Sequence, residues 1–248
     1  MRLLVVNSNT SDRITELISV EARASARQDT EVETITASLG PRSIESRSEL
    51  AVATYGTLVA LSEHIDKFDA AVIACFSDPG LLAARELYSV PVIGIAEASL
   101  MTACMCGARF SVVAVGRQMA PILSEIISSY GLTNRLASIR TVDKHIEDIG
   151  SNPYSVDDDF LNVSRRAISD DGADVIILGG AVTAGMGRRL HERLDVPVLD
   201  GVSCAVRQAE LVSSLLSERS TTTRHGRLPT KEMVRVPESL ASRFLSAR

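Results

Sequence analysis

The chain contains no tryptophan, and aromatic residues make up only 4% of its 248 positions. That argues against stacking platforms for bases or sugars and leaves the core to aliphatic side chains. Positive charge is not in excess either, since 26 Lys and Arg stand against 31 Asp and Glu, a net charge of −5. Without a basic footprint to neutralise phosphates, no nucleic-acid partner is expected. No apolar run approaches the roughly 18 residues that span a bilayer, and the opening MRLLVVNSNTS turns polar too soon for a signal peptide. A soluble, cytoplasmic protein with no membrane partner is the expectation. Cysteine is scarce, with four residues at 75, 104, 106 and 204, and none has the spacing of zinc ligands. HExxH, CxxC, GxGxxG and GxxxxGKS are all missing, so metal, dinucleotide and P-loop sites lack their signatures. His64, His145, His191 and His225 sit among charged residues, as surface positions do.

What is present is an alternation. Short runs rich in Val, Ile and Leu (3–6, 32–36, 70–75, 91–94, 110–115, 173–178 and 197–199) read as buried parallel strands. Between them lie helical patterns such as Ile14, Leu17, Ile18 and Ala22 behind a Thr10/Ser11 cap, or Ile122, Leu123, Ile126 and Ile127 after Pro121. The predicted class is therefore α/β with right-handed crossovers. The chain also echoes itself. VIACFSDPGLLAARELYSVPVIGIAEAS has a counterpart in VIILGGAVTAGMGRRLHERLDVPVLDGVSCA, with Cys75 and Gly180 105 residues apart, Pro91 and Pro197 106 apart, and Leu3 and Ser111 108 apart. Two half-molecules of one design are expected, facing across a cleft into which the turns after the strands project. The chemistry is predicted on Asn7–Ser11, Cys75–Asp78, Gly116–Gln118 and Gly179–Thr183.

Cys75 closes an apolar run and precedes Phe76, Ser77, Asp78 and a Pro-Gly helix start. Helix amides nearby would lower the thiol pKa and make thiolate available, although a small apolar filler at a strand end is the plainer alternative. Asn7, Ser8, Asn9, Thr10 and Ser11 gather amides and hydroxyls able to hold a carboxylate, carbonyl or imide, where capping alone explains one or two of them. Gly179, Gly180 and Ala181 allow close backbone approach to a ligand or simply tight helix packing, and the Thr183 hydroxyl is the one polar side chain nearby. Arg117 occupies the place matching Asn9 and would fork onto a carboxylate or carbonyl, or stand on the surface. Glu97, Ser99, Asp200 and Cys204 would line the cleft floor or, for the acids, cap helices. Cys104 and Cys106 are assigned to packing. Asp157–Asp159 read as a solvated helix N-terminus, and the tail from Ser217, with Thr221–Thr223, His225 and Pro229, as a segment lying over a neighbouring subunit or partly disordered.

Taken together, VVNSNTS, IACFSDPGL, PVIGIAEAS, RFSVVAVGRQMAP and PVLDGVSCAVRQAE resemble the aspartate/glutamate/hydantoin racemases, most closely their hydantoin and allantoin racemase branch, from residue 1 to about 215. The resemblance implies two pseudo-symmetric lobes, each a parallel sheet flanked by helices, with the active site in the cleft between them. The boundaries expected are 1–96 with about 205–218 for the first lobe, 97–204 for the second, and 219–248 as the tail. It further implies no cofactor, a homo-oligomer (tetramer or hexamer), and thiolates on opposite faces of a small-molecule substrate. By position Cys75 is one acid/base, the Asn7–Ser11 turn anchors substrate, and Gly180 stands where the second cysteine would be. Racemisation needs a base on one face of the carbon and an acid on the other, so a water, Thr183 or Cys204 would have to serve the second face. The expected activity is racemisation of a hydantoin- or allantoin-like ring, oriented by Asn9, Ser77 and Arg117. The alternative is a single-cysteine decarboxylase, lyase or isomerase. Arylmalonate decarboxylases resemble this family and also keep one cysteine, in the other half.

Overall fold

The computed structural model describes residues 1–144, 146, 149, 152, 154–216 and 230–245. Within them the strands form two parallel four-stranded sheets. β1 (Arg2–Asn7), β2 (Glu31–Thr36), β3 (Ala70–Ile73) and β4 (Val92–Gly94) lie in the order β2-β1-β3-β4. β5 (Phe110–Val115), β6 (Leu136–Val142), β7 (Val175–Gly179) and β8 (Val198–Asp200) repeat it as β6-β5-β7-β8. Leu3 pairs with Ala70 in the first sheet and Ser111 with Ile176 in the second, so the internal echo is an equivalence of register. The central strands are covered on both faces, which is why they read as unbroken apolar runs.

One strand lies outside the apolar runs. β6, LASIRTV, is an edge strand whose residues are mostly half-buried, so it never forms an apolar run. Conversely, β3 ends at Ile73, which leaves Cys75 in the turn beyond the strand rather than within it.

The helices are α1 (Asp12–Ser25), α2 (Arg47–His64), α3 (Leu81–Leu87), α4 (Ile95–Cys106), α5 (Met119–Ser129), α6 (Asp157–Asp171), α7 (Met186–Leu190), α8 (Gly201–Leu216) and α9 (Glu238–Leu245). A shared core joins the sheets, with Leu3, Val5 and Val72 of the first in one cluster with Val112, Ile176 and Leu178 of the second. α4 and α8 start directly after β4 and β8 and meet there: a Cβ on Gly201 would stand 2.9 Å from the Ile95 carbonyl oxygen. The other face of the first sheet packs a separate cluster against α2, α3 and α9.

Two sequence expectations change here. The C-terminal segment docks on its own chain: Leu240 is buried, Arg243 pairs with Asp66 at 2.7 Å, and the Ser62 and Ser239 hydroxyls lie 3.0 Å apart. Thr221–Thr223, His225, Pro229 and His145 lie outside the described residues. The acidic start of α6 is also not simply solvated, because Asp157 receives the Arg189 guanidinium at 2.7 and 2.8 Å and Asp158 pairs with Arg193 at 2.7 Å.

Candidate active site

The turns after β1, β3, β5 and β7 point toward the same space, as the carboxyl ends of parallel strands do. A cavity of about 60 Å³ opens there, bounded by Asn9 after β1, Cys75–Ser77 after β3, Val115 at the end of β5, and Gly179–Val182 after β7. Ile14 of α1 and Met119 and Leu123 of α5 supply apolar wall. Ser43 and Ile44, from the irregular segment between β2 and α2, close one side. Among the described residues, Cys75 is the one titratable side chain that lines this cavity.

Cys75 Sγ stands 3.2 Å from Ser77 Oγ, and either atom can donate. Burial pushes the thiol above its ordinary range, and hydrogen bonding to Ser77 offsets only part of that. The expectation of a lowered thiol pKa is thus reversed in the free protein. α3 begins only six residues later, and Ser77 is the group that favours the thiolate, within a cavity wall that is largely apolar.

On β1, the buried Asn7 side chain organises its own turn: Nδ2 donates to Asn9 Oδ1 at 2.9 Å, to Thr15 Oγ1 at 2.9 Å and to the Ser11 carbonyl at 3.2 Å. Ser11 N also donates to Asn9 Oδ1, at 2.9 Å. With that oxygen doubly occupied, the Asn9 side chain offers its NH₂ group to the cavity. Thr10 is tied through its amide to the Pro41 carbonyl at 3.0 Å, and Ser11 precedes α1 without a side-chain cap bond. Of the five-residue cluster, then, Asn9 reaches the cavity, and Asn7 and Ser11 hold it in place.

Opposite Cys75, Gly180 adopts φ +116°, and an added Cβ would meet nothing nearer than Val182 Cγ1 at 3.6 Å. Space for a side chain exists, but the backbone conformation is one that L residues rarely adopt. Gly179 is required for another reason: its Cβ would press on Val112, Ala114 and Phe76 at 3.1 to 3.3 Å. Phe76 therefore crosses from the first sheet onto the second and seals the cavity floor. Ala181 begins a single 3-10 turn, 181–183, whose leading amides have no partner within the turn.

Several predicted site residues are placed elsewhere. Thr183 is buried, and its hydroxyl donates to the carbonyls of Gly180 at 2.7 Å and Leu178 at 3.2 Å, so it faces its own turn. Cys204 lines a different hollow with Thr102, Asp200 and Arg188, and burial, with Asp200 beside it, pushes its thiol to about 12. Asp78, at φ +46°, turns behind the cavity wall and accepts from Ala96 N at 3.0 Å, Glu97 N at 2.7 Å and the Tyr130 hydroxyl at 2.8 Å. It thus anchors the start of α4 and the end of α5, and burial pushes its carboxyl to about 6. Glu97 is held in a two-point pair with Arg85, at 2.9 and 2.5 Å. Arg117 is exposed and meets Asp143 at 3.3 Å. Asp200 accepts from Ser203 N at 2.9 Å at the head of α8. Short polar side chains at strand ends serve as caps and struts as readily as ligands, and the sequence alone does not separate these uses. The apolar walls come from two separated stretches, Ile44 on one and Met119 and Leu123 on the other, and nothing in the sequence joins either to the cavity.

Among the described residues no group of three or more His, Cys, Asp or Glu is arranged to hold a metal ion, and no helix is long and apolar enough to cross a membrane.

The doubled parallel sheet with a cleft at its strand ends defines a class, and sequence comparison agrees with it: the family model "Asp/Glu/Hydantoin racemase" matches residues 3–209. The chain belongs to that family. It is 37% identical over 216 residues to a hydantoin racemase of Pseudomonas sp. (strain NS671), covering 87% of each chain. Among solved structures it is similar to allantoin racemase from Klebsiella pneumoniae, with a TM-score of 0.91, 34% identity, and coverage of 97% of this chain and 98% of that one. Allantoin racemase from Pseudomonas fluorescens gives a TM-score of 0.88 at 33% identity, with 94% and 100% covered.

Proposed function

We propose that the protein interconverts the enantiomers of a small cyclic amide, hydantoin- or allantoin-like, through proton exchange at Cys75. The observation that carries this reading is a cavity with one titratable side chain, a thiol, flanked by neutral donors and apolar wall. The family and the hydantoin and allantoin racemases it is similar to supply the substrate class.

In this account the Cys75 thiolate takes the proton from the ring carbon beside a carbonyl, becoming a thiol. The electron pair left behind moves onto the carbonyl oxygen, where the Asn9 NH₂ group and the leading amides of the 181–183 turn stabilise it. Apolar walls such as Ile14, Met119 and Leu123 lower the polarity around the ring and strengthen those interactions. Return of a proton to the opposite face regenerates the C–H bond with inverted configuration. At Gly180 no side chain is available for that step, so a water molecule gives up the proton there, and the hydroxide it leaves takes the proton of the Cys75 thiol, restoring the thiolate. The enzyme works without a cofactor in this reading, as a cytoplasmic homo-oligomer, a setting that suits its four free thiols.

The bare Gly180 position favours a second reading, in which a single thiol serves one face only, as a decarboxylase, lyase or isomerase of a small carboxylate or cyclic amide needs. Single enantiomers of 5-substituted hydantoins and of allantoin, incubated with the enzyme in deuterium oxide, separate the two. Racemisation gives deuterium uptake with loss of optical rotation. Uptake with retained configuration, or carbon dioxide release from a substituted malonate, replaces racemisation with the one-faced reading.

A further inference from the structure

The segment that closes the cavity is held by the opposite sheet's helix. Ser43 and Ile44 line the cavity, and Ile44 is only 8% exposed although no regular element contains it. Directly after them come two residues that reach across to α5. Gln118 Nε2 donates to Glu45 Oε2, and the Arg47 guanidinium forms a two-point pair with Glu125, Nε meeting Oε2 at 3.1 Å. α5 in turn supplies Met119 and Leu123 to the same cavity. One helix therefore contributes apolar wall on one side and grips the facing segment through residues just before and after that wall.

Within the segment Ser43 Oγ donates to Glu45 Oε1 at 3.0 Å, and further bonds hold its two ends. Upstream, Pro41 O accepts from Thr10 N at 3.0 Å, and Gly40 sits at φ +136°, a conformation that favours glycine. Downstream, Ser46 caps α2 by accepting from Glu49 N at 3.3 Å while the Glu49 carboxylate receives Glu45 N at 2.8 Å. Both ends are pinned by bonds within the first half of the chain. Between them, Glu45 and Arg47 make the bonds that cross the cleft. Arg47 and Glu125 are more than half exposed, so their attraction is weak and screened by salt.

We propose that residues 43–47 are a latch that closes the Cys75 cavity by gripping α5, and that release of this grip admits molecules to the thiol. Ile44 then moves with the latch, and the spacing between Ile44 and the Met119/Leu123 wall sets the bulk of the group admitted.

The test reads access to the thiol and needs no knowledge of the substrate. Full-length protein is treated with iodoacetamide, and alkylation of Cys75 is followed by peptide mass spectrometry, with the exposed Cys106 as the internal control. Arg47→Glu places like charges opposite each other and is expected to raise the Cys75 rate about two- to fivefold, the scale of an exposed ion pair, with Cys106 unchanged. Arg47→Glu/Glu125→Arg restores the pair and returns the rate to the wild-type value. Raising sodium chloride to about 1 M, where screening acts within about 3 Å, speeds wild type and the swapped double variant but not Arg47→Glu. Rates are taken across pH, because opening lifts the whole profile whereas altered thiol acidity moves only its midpoint. Wild-type access in Arg47→Glu, or failure of the double variant to restore it, overturns the latch. Absence of activity on hydantoins would overturn the proposed reaction and leave this result standing.

Discussion

The turns after β3 and β7 occupy equivalent places in two sheets of the same strand order, yet one presents a thiol and the other a glycine. After β3, Cys75 is followed by Ser77 at hydrogen-bond distance and by Asp78, which turns away to brace α4 and α5. After β7, the side chains are withdrawn: Thr183 bonds to its own turn, and Gly180 and Ala181 leave bare backbone against the cavity. The comparison teaches that the scaffold's symmetry does not extend to its chemistry. One side of the cavity has an exchangeable proton, while the other has amides and room.

The sharpest way to break this contrast is to weaken the one acid. Cys75→Ser leaves a hydroxyl that is a far poorer acid, and exchange of the ring proton should fall about 10²- to 10⁴-fold, read by deuterium uptake. An undiminished rate would move the chemistry away from this turn. In wild type, the raised thiol pKa predicts exchange that keeps rising with pH beyond the ordinary thiol range, because the reactive thiolate becomes populated only there. A profile with its midpoint near 6 would point instead to Asp78 or Asp200, whose carboxyls titrate at about that value.

Making the two turns alike is the next largest change. Gly180→Cys places a thiol where an added Cβ finds space but the backbone is strained at φ +116°. Chemical denaturation should show a loss of about 1 to 3 kcal/mol. Polarimetry with deuterium counting should show more inversions per exchange event than in wild type. An unchanged ratio would mean that the second face is already served as well as a thiol can serve it.

Asp200 tests the part of the second sheet that faces the other hollow. Its folded pKa, about 6, lies above the ordinary 3.8, owing first to burial and then to Glu21. The carboxylate therefore costs stability that is absent below about pH 4 and fully present above about pH 6. Asp200→Asn keeps an oxygen to accept from Ser203 N. It should be more stable than wild type at pH 7 by up to about 3 kcal/mol, with the gap closing on acidification to pH 4. A gap that widens on acidification contradicts that sign. Smallest of all should be the changes in exchange for Cys204→Ala and Arg117→Ala, which stand away from the cavity. A tenfold loss in either would bring that residue back into the reaction.

Much of this arrangement was legible before folding, for a physical reason. Strands buried on both faces must be apolar throughout, so β1, β3, β5 and β7 announce themselves, and the turns that follow them must project to one end. Cys75, Asn9 and Gly180 stand in those turns and line the cavity. What stayed hidden depends on side-chain direction. Asn7 and Asn9 are two apart and look alike in sequence, but only one is left with a free NH₂ after the turn closes on itself. Asp78 and Ser77 are neighbours, and one faces the thiol while the other caps a helix. β6 escaped notice because an edge strand mixes polar with apolar residues, and Ile44 because it enters the cavity from an irregular segment whose position is set by α5.

The most direct test of the central claim is deuterium exchange into each enantiomer of a 5-substituted hydantoin, before and after alkylation of Cys75 mapped to the residue. The account predicts that exchange falls in proportion to the fraction of Cys75 capped and stops when capping is complete. Exchange that continues at the unmodified rate with Cys75 fully alkylated would contradict it.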